Sequence, residues 1–322
     1  MQERKIGQKR YRESMEMAKA ITGFFIFFFI GILTAGGCTK NEETAIGKKA
    51  ASETAGDKRA VFRLAVQPCW SPPDTFTMFT PLADYLSRET GLNIKLVVLE
   101  TEEDFHEALD TAAFTLQDAF SIYVHNKKIA LFDPLAIAVS EDGETEERGV
   151  IIVRADSSIK GLSDLKGKTF LFGAPHNTPK FTGAYITLKE AGIDPGRDLK
   201  GHEFGGDCDD NAMSVFLGEY DAGAVCKDFV EGPEGKKRFN FKTDLRIVAD
   251  TVPLPSWMLA ASKDVDREVV EKVRNALLKI GPRSPLAEEV LKECEWSGFI
   301  AVTGKELSRI DNLVRKYSIP VR

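Results

Sequence analysis

Beyond its first 37 residues the chain has no run of lysine and arginine longer than Lys236-Lys237-Arg238. Those first 37 hold six Lys/Arg against three acids, a local +3, and since the whole chain stands at −6 the remainder carries −9. An acidic body without a basic patch argues against a nucleic-acid partner, because backbone binding depends on Lys/Arg that displace counterions from phosphates. There is no GxGxxG, HExxH or GxSxG run. Gly167-Lys168-Thr169 does not complete a P-loop: Leu162 stands where that motif needs glycine, and the tripeptide precedes its strand instead of following one. The four histidines, His106, His125, His176 and His202, show no metal-ligand spacing, and no CxxC is present, so no metal and no cofactor are expected. What is there is ordinary: 43% hydrophobic and 29% charged residues with 26 Gly and 14 Pro among 322, which excludes disordered, collagenous and coiled-coil chains and suggests about two domains.

The N-terminus reads as an export signal over residues 1–37. A basic stretch to Lys19 is followed by the uncharged AITGFFIFFFIGILTA from Ala20 to Ala35 and then by small residues. That run is short for a bilayer crossing, which takes about 20 apolar residues; a permanent N-terminal anchor is the alternative. Ala35-Gly36-Gly37-Cys38 resembles a bacterial lipobox, with Ala35 in place of the usual leucine, which implies lipid on Cys38 and a membrane-tethered, exported protein. Residues 38–60 are polar and lack apolar periodicity, as expected of a flexible tether. The remaining cysteines, Cys69, Cys208, Cys226 and Cys294, allow three full pairings, and spacing selects none of them; buried small hydrophobes are the other reading.

From Val61 short β-branched runs alternate with amphipathic stretches, the pattern of α/β units. Strands are expected at Phe62–Val66, Asn93–Leu99, Ala119–Tyr123, Gly149–Arg154, Thr169–Phe172, Ala222–Val225 and Leu245–Ala249. Helices are expected at Asp74–Thr90, Glu102–Ala113, Lys180–Ala191, Asp209–Leu217, Asp266–Ile280, Leu286–Cys294 and Lys305–Lys316. Gly91, Gly192 and Gly218 stand where helices end in the left-handed cap.

Five phrases in order carry a resemblance over roughly 180 residues: FTPLADYL from Phe79, GLSDLKGKTF from Gly161, LKEAGIDP from Leu188, GEYDAGAV from Gly218 and PLPSW from Pro253. By them, residues 61–280 resemble the phosphate/phosphite/phosphonate-binding proteins of ABC importers. The resemblance implies an α/β, two-lobed type II periplasmic-binding-protein fold with two hinge crossings, near Ile151–Arg154 and Ser256–Ala261. Lobe one is then 61–152 plus 256–322, and lobe two 153–255. It further implies a small oxyanion as ligand, an ABC permease and ATPase as partners, and no catalysis. A sensor docking on a membrane receptor or histidine kinase, or a different small solute, is the alternative; neighbouring permease or kinase genes would discriminate transport from sensing.

The expected anion site is a helix N-terminus, where free N–H groups and the dipole favour negative charge. Thr178 reads as the N-cap and Pro179 as the first helical residue. In the family this loop carries hydroxyls, and Asn177 and Thr178 fall on two of those positions, while Pro179 and Lys180 depart from the pattern. Lys180 either touches ligand or points to solvent; His176 either bonds ligand or serves the loop. By the family register Cys208 replaces a usual histidine and Asp209 keeps the acid, with Asp210 suited to the helix dipole. Asp228 matches an acidic position beside the ligand. From lobe one come Trp70, as a cover or as packing, Thr77 at the following helix start, and Ser121 and Tyr123 as hydroxyl donors. Cys69 with His176 is the best nucleophile–base pairing that an enzyme reading offers.

Overall fold

The computed structural model describes residues 60–129, 132–294 and 296–321. The export signal, Cys38 and most of the tether lie outside the described residues. Among the described residues no helix is long and apolar enough to cross a membrane.

Two mixed sheets organise the chain. The strands are β1 (Val61–Val66), β2 (Asn93–Val97), β3 (Phe114–Gln117), β4 (Phe132–Ser140), β5 (Glu146–Glu147), β6 (Gly149–Arg154), β7 (Thr169–Phe172), β8 (Gly201–Phe204), β9 (Ala222–Cys226), β10 (Leu245–Asp250), β11 (Leu254–Pro255), β12 (Met258–Ser262) and β13 (Trp296–Ala301). The first sheet runs β13-β4-β12-β3-β1-β2 and the second β10-β6-β9-β7-β8. In the first, β1 pairs in parallel with both β2 and β3; in the second, β7 does so with β8 and β9. Parallel neighbours need a crossover, which the helices Pro72–Thr90, Glu102–Leu109 and Cys208–Leu217 supply. The strands entered at the two sheet changes pair antiparallel: β6 with β9 and β10, and β12, inserted between β3 and β4, with both of them.

The chain passes between the sheets at 141–148 and again at 251–257, so β6 and β12 are full members of their sheets rather than the crossing segments themselves. Within the two passages β5 and β11 form a short antiparallel pair, Leu254 opposite Glu147 and Pro255 opposite Glu146. Arg309, from the helix Lys305–Tyr317, bonds the Glu146 carboxylate and reaches the Pro253 carbonyl at 2.8 Å, fastening the C-terminus to both connections.

One expected element changes type. Ala119–Tyr123 is not a strand but the start of the helix Ala119–Ile129, and the strand of this unit lies earlier, at β3. The run AFSIYV is apolar on every side because both the sheet and the other lobe bury it: Ala119, Phe120, Ile122 and Val124 are all fully buried. A helix buried all round loses the periodicity that would identify it. Phe120 meets Phe181 of the other lobe edge to face, with centroids 6.2 Å apart, and Phe172 lies behind it at 5.6 Å from Phe181. An aromatic seam thus joins the lobes beside the site.

Candidate functional site

The loop after β7 enters its helix through an Asn177 cap, whose Oδ1 accepts from the Lys180 amide at 2.8 Å. The cap is therefore one residue earlier than the sequence suggests. The turn Thr178–Gly183 is π-helical and continues into Ala184–Glu190. Every residue of that turn is buried. Gly173 makes the entry possible, because a Cβ there would stand 2.4 Å from Lys180 Cβ.

Thr178 bonds across the seam. Its amide donates to Asp118 Oδ2 at 3.0 Å and its hydroxyl to Asp118 Oδ1 at 2.6 Å, while the Phe120 amide donates to Thr178 Oγ1 at 3.0 Å. Asp118 also accepts from the Ser121 amide at 2.9 Å, so one carboxylate starts the helix of its own lobe and clamps the helix of the other. An amide and a hydroxyl presented together to two oxygens of one anion are the donor set by which a helix start takes an oxyanion. Sequence reading passed over Asp118 in this role, because its partner is 60 residues away. Burial raises its pKa to about 6 against the bonds from Thr178 and Ser121 that favour the charge.

Lys180 is buried, 2% exposed, and its Nζ donates to the Gly206 carbonyl at 2.9 Å. Among the described residues no carboxylate lies within ion-pair distance of it. Burial works against the ammonium, but Cys208, Cys69, Cys226 and Asp207 surround it and hold its pKa above the usual lysine range. The carboxyls nearby resist ionisation. Burial pushes Glu102 up to about 7, against a bond from Gln67, and pushes Glu147 well above the normal range, with Asp118 adding repulsion to both. Glu102 Oε2 and Glu147 Oε1 are buried without hydrogen-bond partners among the described residues. Protonated carboxyls of this kind donate rather than accept. The Gln67 side chain links the set, donating to Glu102 Oε1 at 3.2 Å and accepting from the Asp118 amide at 3.1 Å.

Three histidines that the sequence scatters come together here. The rings of His106 and His125 lie 5.2 Å apart, those of His106 and His176 5.2 Å, and those of His125 and His176 5.8 Å. Burial followed by mutual repulsion lowers His125 to about 3 and His176 to about 4, so both are neutral at pH 7. Among the described residues no group of three or more His, Cys, Asp or Glu is placed to hold a metal ion. No hydrogen bond joins Cys69 to His176 among the described residues; His176 packs with the other rings, and Cys69 meets the Cys226 thiol.

The remaining expected residues divide. Ser121 is buried beside the clamp, its hydroxyl donating to Gln117 Oε1 at 2.8 Å. Cys208 opens its helix next to Lys180, and Asp228 lies close enough to Glu147 to raise its pKa. Asp209 instead pairs with Arg238. Trp70 packs on Trp257 and Phe79 at 5.0 and 5.5 Å. The Tyr123 hydroxyl donates to Asp311 at 2.9 Å, on the C-terminal helix, and Thr77 is exposed with its hydroxyl on the Pro73 carbonyl. Tyr123 and Thr77 are thus engaged away from Lys180.

Comparison with known proteins gives a consistent result. Residues 64–307 match the family described as ABC transporter, phosphonate, periplasmic substrate-binding protein. Among solved structures, the chain is similar to PhnD1 from Prochlorococcus marinus in complex with methylphosphonate, at a TM-score of 0.70 and 19% identity over 81% of this chain and 99% of that one. It is also similar to a binding protein component of an ABC phosphonate transporter from Pseudomonas aeruginosa, at a TM-score of 0.67 and 18% identity over 81% of this chain and 87% of that one. A Xanthomonas citri protein bound to chloride matches at a TM-score of 0.65 and 21% identity over 80% of this chain and 98% of that one. At such identities these likenesses speak for the two-lobed fold.

Proposed function

The chain belongs to the phosphonate-type periplasmic substrate-binding proteins of ABC transporters, and from that footing we propose that it is an exported lipoprotein, lipidated at Cys38, that captures a phosphorus oxyanion between its lobes and delivers it to a permease and ATPase. Its role is binding and transport. The six-stranded and five-stranded lobes act as the closing units, with 141–148 and 251–257 as the hinge.

The observation that carries the reading is Lys180. A buried ammonium with no carboxylate at ion-pair distance among the described residues, on the first turn of a helix whose own dipole is positive there, is an arrangement that an anion relieves. Its charge attracts the oxyanion. The protonated carboxyls of Glu102 and Glu147 donate to the ligand's oxygens, a task that neutral carboxyls perform and charged ones oppose. Asp118 on Thr178 draws the lobes together around the captured group.

Thermal unfolding of the chain with methylphosphonate, 2-aminoethylphosphonate, phosphite, phosphate and sulfate tests this. Binding to the native state stabilises by RT ln(1 + [L]/Kd), about 2.7 kcal/mol at a hundredfold excess over Kd. A rise in Tm confined to phosphorus oxyanions supports the proposal. A rise with sulfate alone, or with none of them, refutes the ligand class while leaving the family membership intact.

A further inference from the structure

Three cysteines far apart in the chain converge beside Lys180. Cys208 is the first residue of the helix Cys208–Leu217 and Cys226 the last of β9. The Cys226 amide donates to Cys208 Sγ at 3.1 Å, and the Cys226 thiol hydrogen-bonds Cys208 and, from the other lobe, Cys69. Cys294 stands apart in the core of the six-stranded lobe, its thiol on the Met78 carbonyl at 3.3 Å. All four are free thiols, and Cys208 and Cys226 are only partly buried. The amide of one cysteine on the sulfur of the other places the two residues side by side, as a disulfide between them requires.

The surroundings differentiate the two thiols. Cys208 sits at a helix N-terminus and beside an ammonium, both of which favour the nucleophilic thiolate. The bond from the Cys226 thiol, against burial and with help from Lys180, lowers Cys208 to about 7. Bonding to Cys208 and Cys69, with burial, pushes Cys226 well up, so it keeps its proton. One thiol is poised to attack and its neighbour to resolve.

We infer that Cys208 and Cys226 form a redox-active dithiol at the oxyanion site, and that closing it as a disulfide removes a thiolate that competes with the ligand for Lys180. The Cys208 thiolate attacks one sulfur of a low-molecular-weight disulfide such as oxidised glutathione, forming a mixed disulfide and expelling one glutathione thiolate. Cys226 gives its proton to that thiolate and attacks the Cys208 sulfur, expelling the second glutathione thiolate. The protein loses two electrons and the small disulfide gains them, becoming one thiol and one thiolate, the latter protonated from water. An extracytoplasmic setting, where the family operates, supplies disulfide oxidants. Only the coupling to ligand rests on the anion-binding reading of Lys180.

The full chain is equilibrated in mixtures of reduced and oxidised glutathione, alkylated, and mapped by mass spectrometry without reduction. A single Cys208–Cys226 link is expected, lost in Cys208→Ser and in Cys226→Ser and retained in Cys69→Ser and Cys294→Ser. No link, or a link through Cys69, overturns the dithiol. Titration with methylphosphonate then reads the coupling: the oxidised protein is expected to bind at least about fivefold tighter than the reduced, with Cys208→Ser matching the oxidised form. Equal affinities overturn the coupling. Absence of binding in both forms refutes the anion reading and the coupling with it, while the mapped disulfide stands.

Discussion

Each lobe begins a helix directly after a strand and its loop with the same local chemistry, and the two starts end in opposite electrostatic states. Ser71, followed by Pro72, caps one; Asn177, followed at one remove by Pro179, caps the other. Three residues after each cap stands a charge of opposite sign. In the six-stranded lobe it is Asp74, which accepts from the Ser71 hydroxyl at 2.5 Å and answers the helix dipole at an exposed surface. In the five-stranded lobe it is Lys180, which adds to the dipole and is buried. The first start is electrically complete within its own lobe. The second holds a buried positive charge without an ion pair among the described residues and borrows Asp118 from the other lobe to satisfy Thr178. A cap alone therefore says little about a helix start; the sign of the residue three positions on, and whether it is buried, sets these two apart.

Breaking the buried start has the larger effect. Asp118→Ala leaves the Ser121 and Thr178 amides without their acceptor inside the seam, and a loss of about 2–4 kcal/mol is expected in denaturant unfolding. A cost below about 1 kcal/mol would mean that the clamp is replaced by water. Intermediate in size is a pH effect at the same site. Burial raises Glu102 from 4.5 to about 7, so the native state holds a proton that the unfolded chain has released across that interval, and stability falls as pH rises through it. Glu102→Gln removes this dependence; measured from pH 4.5 to 7, the variant gains about 1–3 kcal/mol relative to the wild type as pH rises. A constant difference would place Glu102 in water. Smallest is Ser71→Ala at the exposed start, expected to cost about 0.5–1 kcal/mol and to leave anion binding untouched. A cost equal to that of Asp118→Ala would erase the contrast between the two starts.

Much of this was readable from the residues. The helices Pro72–Thr90 and Cys208–Leu217 end at Gly91 and Gly218 in the left-handed conformation, as their sequences imply. The loop of Asn177 and Thr178 was found because its cap, proline and preceding strand are local signals. What escaped depends on contacts between distant segments. Asp118 looks like a strand entry until Thr178 meets it, and the apolar run after it reads as a strand because burial on all sides removes helical periodicity. β8 and β13 were not singled out: GHEF is polar, with no buried residue, and WSGFIA carries a glycine at its centre. His106, His125 and His176, like Cys69, Cys208 and Cys226, have no spacing rule to join them; the fold of one lobe brings His106 to His125 and that of the other Cys208 to Cys226, and the meeting of the lobes adds His176 and Cys69.

The most direct test is a calorimetric titration of methylphosphonate into the wild-type chain and into Lys180→Met at neutral pH. The expected result is saturable binding at one site in the wild type and at least a hundredfold weaker binding in the variant, about 2.7 kcal/mol. Unchanged affinity in a folded Lys180→Met protein would contradict the account, since the ammonium at the buried helix start would then not be what holds the anion.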